Sequence, residues 1–184
     1  MTCEEIFSKI ANIYLNGIMY HTEMVQYFDF LNLHGYKRMH EYHRKCESEH
    51  SRKLHGYYTN RYQKLLPETG EYAKSAIPRD WYGYKRSEVT SADVKKGVKA
   101  AFEKWVEWER SVCAILNEAI KELGEHNDYA AACEIGMQLR DTEDELKRAE
   151  RMLLTLKSVD FSIDFIQEQQ CELHKKYKKK AEKV

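Results

Sequence analysis

Apolar side chains recur along the chain at three- and four-residue intervals, in four long series separated by short polar breaks. The first runs Ile6, Ile10, Ile13, Gly17, His21, Met24, Phe28 and Leu31, and Thr2 with Glu5 ahead of it has the form of a capping box. This spacing predicts a helix over about 2–33, with His34 and Gly35 as its stop. Met39, His43, Cys46, His50, Leu54, Tyr57, Arg61 and Leu65 predict a second helix over about 36–66, ending before Pro67. A third series from Val98 through Trp105, Glu109 and Val112 to Leu123 predicts 91–123 behind a start at Ser91. Ile135, Leu139, Thr142, Leu146, Ala149, Leu153 and Leu156 predict 128–157, and a shorter, more polar helix follows over about 162–179.

Loop lengths then choose the topology. Two or three residues join the first helix to the second and the third to the fourth, so each pair is expected to be an antiparallel hairpin. The middle connection, Pro67 to Thr90, holds both prolines and the aromatic patch Trp81, Tyr82 and Tyr84. A helix of about 30 residues is ~45 Å long, a distance that about 14 extended residues span. The 24 residues from 67 to 90 therefore suffice for a crossover down the whole bundle. The expectation is one all-α domain over 1–184: a four-helix, up-down-down-up bundle with a long crossover between helices 2 and 3 and a fifth, C-terminal helix.

Charge and composition narrow the function classes. The 184 residues carry 30 basic and 30 acidic side chains, a balance that argues against a nucleic-acid partner, which would need a basic stripe able to neutralise several phosphates. The basic run Lys175 to Lys180 reads as a solvated helix end. No stretch approaches the ~18 apolar residues of a membrane span, and the acidic start, Met-Thr-Cys-Glu-Glu, is unlike a signal peptide. Five scattered cysteines without a Cys-x-x-Cys pair read as reduced thiols in a cytoplasmic protein.

Ionisable groups on the inner stripes are the candidate chemistry, because a buried charge needs a partner. Glu47 and His50 point the same way from the second helix; Glu109 lies between Trp105 and Val112 on the third; Thr142 and Glu145 fall between Leu139 and Ala149 on the fourth; Tyr14 and His21 lie on the first. In an antiparallel hairpin, residues equidistant from the turn share a level. Around a turn centred near residue 126, Glu109 is 17 before and Thr142 and Glu145 are 16 and 19 after; around residue 34, His21 is 13 before and Glu47 and His50 are 13 and 16 after. Three carboxylates with one or two imidazoles converging in a helical core imply a cation, and oxygen-rich ligation with His suits Fe or Mn. The alternatives are a wet helix face for Asp141 to Glu145 and a hydrogen-bonded core pair for Tyr14 and His21. His40, His43 and His55 carry no assignment.

These residues resemble the ferritin-like superfamily, and specifically the bacterial non-haem ferritins. The resemblance rests on Gly35 to Tyr58, with Glu47-Ser-Glu-His50 followed by Leu54 and Tyr57, and on Glu109 to Glu145 with Asn117, Glu118 and the Asp128-Tyr129 turn. It implies iron ligation by Glu47, His50, Glu109 and Glu145, with Glu47 and Glu109 as bridging carboxylates between two irons. Two positions depart from the family pattern: Thr142 stands where Gln or Glu is usual, and Tyr14 where the first helix should supply Glu. His21 takes the place of the site-adjacent Tyr, as a hydrogen-bond donor or a replacement ligand, and Tyr14 is the candidate phenolate or one-electron reductant. The implied function is oxidation of ferrous iron by O2 and its storage, with one or two irons per chain, in a closed homo-oligomer. The alternative is a metal-free bundle retained as an oligomeric scaffold or interaction module.

Overall fold

A computed structural model describes residues 1–66 and 86–181. Five long helices carry nearly all of it: α1 (Cys3–Phe30), α2 (His34–Tyr62), α3 (Ser91–Glu125), α4 (Tyr129–Ser158) and α5 (Ile163–Ala181). A single 3-10 turn, Arg86–Glu88, precedes α3. The central part of the expected crossover, with Pro67, Pro78, Trp81, Tyr82 and Tyr84, lies outside the described residues.

Local chemistry explains the ends. Thr2 and Glu5 form the capping box of α1, and Thr90 with Asp93 forms that of α3. Both hairpin turns place an asparagine in the left-handed region, Asn32 at φ 58 and Asn127 at φ 57. The first helix therefore stops at Phe30, before the expected His34-Gly35, and those two residues instead open α2. Gly35 is there for another reason. A Cβ at that position would lie 1.7 Å from the main-chain oxygen of Gln170, so α2 and α5 touch backbone to backbone. At the other end, α2 closes on Gln63 in the left-handed conformation, short of the expected Leu66.

Side-chain partners give the direction of each helix. Phe7 meets Tyr58 and Phe28 meets Tyr36, so α1 and α2 are antiparallel. Lys157 pairs with Glu103 and Arg110 with Glu150, so α3 and α4 are antiparallel as well. Tyr36 packs on Phe102 and His43 on Trp105, which makes α2 and α3 parallel. That is the up-down-down-up order. α5 folds back along α2 in the same direction: Gln170 accepts from the Gly35 N–H at 3.1 Å, Tyr36 donates to Gln169 at 2.6 Å, and Tyr177 packs on Tyr42.

The apolar interior forms two clusters. One gathers Met24, Phe28, Tyr36, Phe102, Leu156, Ile166 and Tyr177 at the α5 end. The other gathers Ile6, Phe7, Ile10, Leu54, Leu116 and Ile135 at the far end. Between them lies a buried polar layer made of Glu47, Glu109, Gln138 and Thr142, with His21, His40 and His43 beside it. No helix of the described residues is long and apolar enough to cross a membrane.

Candidate metal centre

Each helix of the bundle sends polar groups into this layer because its apolar stripe is interrupted at the same height. On α2 the residues His40, His43, Glu47 and His50 follow one another at three- and four-residue steps, so one face carries all four. On α3, Glu109 is fully buried whereas Trp108 is only half-buried, which settles the rotation of that helix with the carboxylate inward.

Glu47 and Glu109 each leave one carboxyl oxygen unsatisfied. Trp105 donates its indole N–H to Glu109 Oε1 at 2.8 Å, and Glu109 Oε2 has no hydrogen-bond partner. Glu47 Oε2 has none either. Burial, then the charges of Glu109 and Glu145, push the Glu47 carboxyl well above its ordinary value. Burial, with Glu145, raises Glu109 to about 8 against the hydrogen bond from Trp105, which pulls it down. The three carboxyl groups thus feel one another across α2, α3 and α4. Room for the first of them comes from α1, where a Cβ on Gly17 would lie 2.7 Å from Glu47 Cδ.

The remaining groups are turned toward other partners. Glu145 Oε1 lies 3.1 Å from His43 Nδ1. Burial works to raise Glu145, and His43 and His50 outweigh it, leaving the carboxyl below its ordinary value. His50 Nε2 is 3.7 Å from Asp141 Oδ2, at the edge of the layer, and burial holds its imidazole below the ordinary value. As they stand, no three acidic, histidine or cysteine side chains among the described residues are gathered tightly enough to hold a metal ion.

Tyr14 and His21 occupy different surroundings. The Tyr14 hydroxyl donates to Gln138 Oε1 at 2.5 Å, and Thr142 donates to the Gln138 carbonyl at 3.1 Å. That end of the layer is a neutral network in which the Gln138 amide nitrogen alone is left without a partner, with the Tyr14 ring 5.5 Å from that of His50. Burial, then the Glu47 and Asp141 charges, raise the Tyr14 phenol well above its ordinary value. His21 Nδ1 meets His40 Nδ1 at 2.9 Å, and the His21 ring stacks on His43 at 5.6 Å. It reaches the carboxylates only through His43 and Glu145. Burial and the neighbouring imidazoles keep His21 and His40 well below the ordinary histidine value, so both are neutral and one nitrogen of the close pair carries the shared proton.

Sequence reasoning passed over Trp105 as a donor and Gln138 as the partner of Tyr14, and left His40 and His43 without a role. The histidines carried a signal, their place on the stripe of Glu47 and His50. Gln138 and the Trp105 donor carried none, since each acts through a contact that periodicity does not encode.

No protein-family model and no curated protein matches the sequence. Solved structures do. The fold is similar to an open-pore ferritin from the hyperthermophilic archaeon Archaeoglobus fulgidus, with TM-score 0.77 and 18% identity over 95% of this chain and 96% of that one. A form of the A. fulgidus ferritin engineered to be closed gives TM-score 0.78 at 17% identity over 95% of both chains. A humanized archaeal ferritin gives 0.74 at 18%, over 95% of this chain and 96% of that one. The chain has a ferritin-like, all-α fold with an additional C-terminal helix; identities this low speak to the fold alone.

Proposed function

We propose that this protein takes up ferrous iron between Glu47, Glu109 and Glu145, oxidises it with O2, and sequesters the ferric product. The observation that carries this reading is the pair of buried, unpartnered carboxylate oxygens, Glu47 Oε2 and Glu109 Oε2, in the gap between two apolar clusters. Such groups are expensive to bury alone, and a cation held between them satisfies both. Carboxylates with an imidazole at the edge suit iron, with manganese as the substitute. The ferritin-like fold supports the same choice.

Loading requires Glu145 to leave His43 and His50 to leave Asp141, both side-chain rotations within a preformed layer. Because ligation needs ionised carboxylates, Glu47 and Glu109 give up protons as the ion enters. Tyr14, Gln138 and Thr142 supply no acid at their end of the layer, so the proposal is one ion per chain and not a symmetric pair. In this reading Tyr14 closes that end through Gln138, and His21 supports His43 and is not itself a ligand. A closed homo-oligomer in a reducing cytoplasm, consistent with five free cysteines, completes it.

The neutral Tyr14–Gln138–Thr142 network favours a second reading, a metal-free bundle acting as an oligomeric scaffold. An oxygen electrode separates the two. Ferrous iron added to the native chain should consume O2 faster than in buffer, and Glu47→Gln/Glu109→Gln should abolish the excess. Consumption at the buffer rate by the native chain favours the scaffold.

A further inference from the structure

A recess of about 390 Å³ opens between α4 and α5, away from the carboxylate layer, and its charges are not balanced. Arg148 and Arg151 line it from α4 and Lys176 from α5. None of the three has a carboxylate within ion-pairing distance among the described residues. Arg151 spends its Nε–H on the Lys147 carbonyl at 3.1 Å. Lys176 lies 5.6 Å from the centre of the Tyr177 ring, and Lys180 lies 5.4 Å from the same ring and 4.5 Å from that of Tyr42. Burial and the positive charges of Arg148 and Lys180 hold the Lys176 ammonium below its ordinary value. Glu172 is the one acid on the wall, and it pairs with none of them.

Two comparisons within the molecule set this recess apart. The larger groove between α3 and α4 is also lined by cations, but there Arg110 meets Glu150 at 2.7 Å and Lys157 meets Glu103 at 3.5 Å. Its charges are satisfied internally. The cations in the last turn of α5 complement the helix dipole, but Arg148 and Arg151 sit ten and seven residues before the end of α4, too far for that explanation. Burial joins charge at one wall of the recess. Tyr177, which lines it and is 1% exposed, holds its hydroxyl beside Arg148.

We infer that this recess binds a phosphoryl group, free or as a small monoester. Two guanidinium forks and an ammonium match a tetrahedral dianion, for which charge-assisted bonds are strong and bidentate Arg contacts specific. Met152 and Leu173 give the recess an apolar floor, so the body of an ester finds a surface that inorganic phosphate does not use. Arg148 stands one turn beyond Glu145 and lines the recess, and its charge helps to lower that carboxyl, which itself lies against His43.

The test is calorimetric titration of the full chain with inorganic phosphate and, separately, with phenyl phosphate, at fixed low ionic strength. Saturable binding at one site per chain is expected, weakened at least about tenfold by Arg148→Gln and by Lys176→Gln. Lys178→Gln/Lys179→Gln, at the solvated end of α5, should leave it within about twofold. Tighter binding of phenyl phosphate assigns the floor to an ester, and equal binding assigns the site to the phosphoryl group alone; both support the site. Failure of both probes to saturate overturns the inference. So does equal weakening by the Lys178/Lys179 variant, which would mean diffuse charge. Unchanged melting temperatures of the variants show that a loss of binding is not a loss of fold.

Discussion

Glu47 lies against a bare stretch of α1: a Cβ on Gly17 would come within 2.7 Å of Glu47 Cδ and 3.1 Å of its Oε1. Gly17→Ala should therefore separate stability from metal binding. Alanine gains roughly 0.5–1 kcal/mol of helix propensity at a mid-helix position, which offsets the displacement of a flexible carboxyl, so the melting temperature should move little. Affinity for ferrous iron should fall at least about tenfold, because the displaced carboxylate no longer faces Glu109. Competitive titration against a metal indicator checks it.

In the metal-free protein, Glu47 and Glu109 lack partners that an amide would need less than a carboxylate does. Glu47→Gln and Glu109→Gln, which keep size and shape, should each stabilise the chain in chelator. The gain should be about 1–3 kcal/mol, and for Glu109 larger at pH 9, above the value of about 8 at which its carboxyl ionises, than at pH 6. Denaturant melts at the two pH values measure this difference.

The pH dependence of the native chain follows with a definite sign. Glu109 has a folded value of about 8 against 4.5 unfolded, so the folded state holds its proton longer. Its contribution is fully present below 4.5 and is lost as pH rises through about 8. Glu47 acts in the same direction. His21 and His40 act oppositely: their folded values lie below 6.5, so their contribution is present above 6.5 and lost as pH falls. Between 6.5 and 8 the Glu109 contribution is being lost while that of His21 and His40 is in place. Thermal melting in chelator should drop across that interval, by roughly 2–4 °C for each kcal/mol. The double glutamine variant should lose the slope.

Much of this layer could be read from residue spacing because hairpin geometry is simple. Three-residue turns tie positions on paired helices to one height, which is why Glu109, Thr142 and Glu145 could be assigned one level in their hairpin, and His21, Glu47 and His50 one level in theirs. What spacing does not carry is where a side chain turns once it arrives. Glu145 goes to His43, Tyr14 to Gln138 and His21 to His40, each toward a neighbour that competes with the centre. Gly35 illustrates the same limit for the backbone. Its local signature is a helix stop, yet its cause is the main chain of Gln170 on a distant helix.

Trp105 donates its indole N–H to Glu109 and so favours the ionised carboxylate. Trp105→Phe leaves that oxygen bare. The expected loss of stability is about 1–3 kcal/mol, larger at pH 9 than at pH 6 because the bond is charge-assisted only when Glu109 is ionised. A loss independent of pH would mean that the indole contributes packing alone. Paired denaturant melts decide it.

The most direct test is iron stoichiometry after anaerobic loading with ferrous ion, removal of free metal and elemental analysis. Close to one iron per native chain, with none above the buffer level in Glu47→Gln/Glu109→Gln, is the result expected of a cation held between these carboxylates. A native chain that retains no iron, or a double variant that retains as much as the native chain, would contradict it.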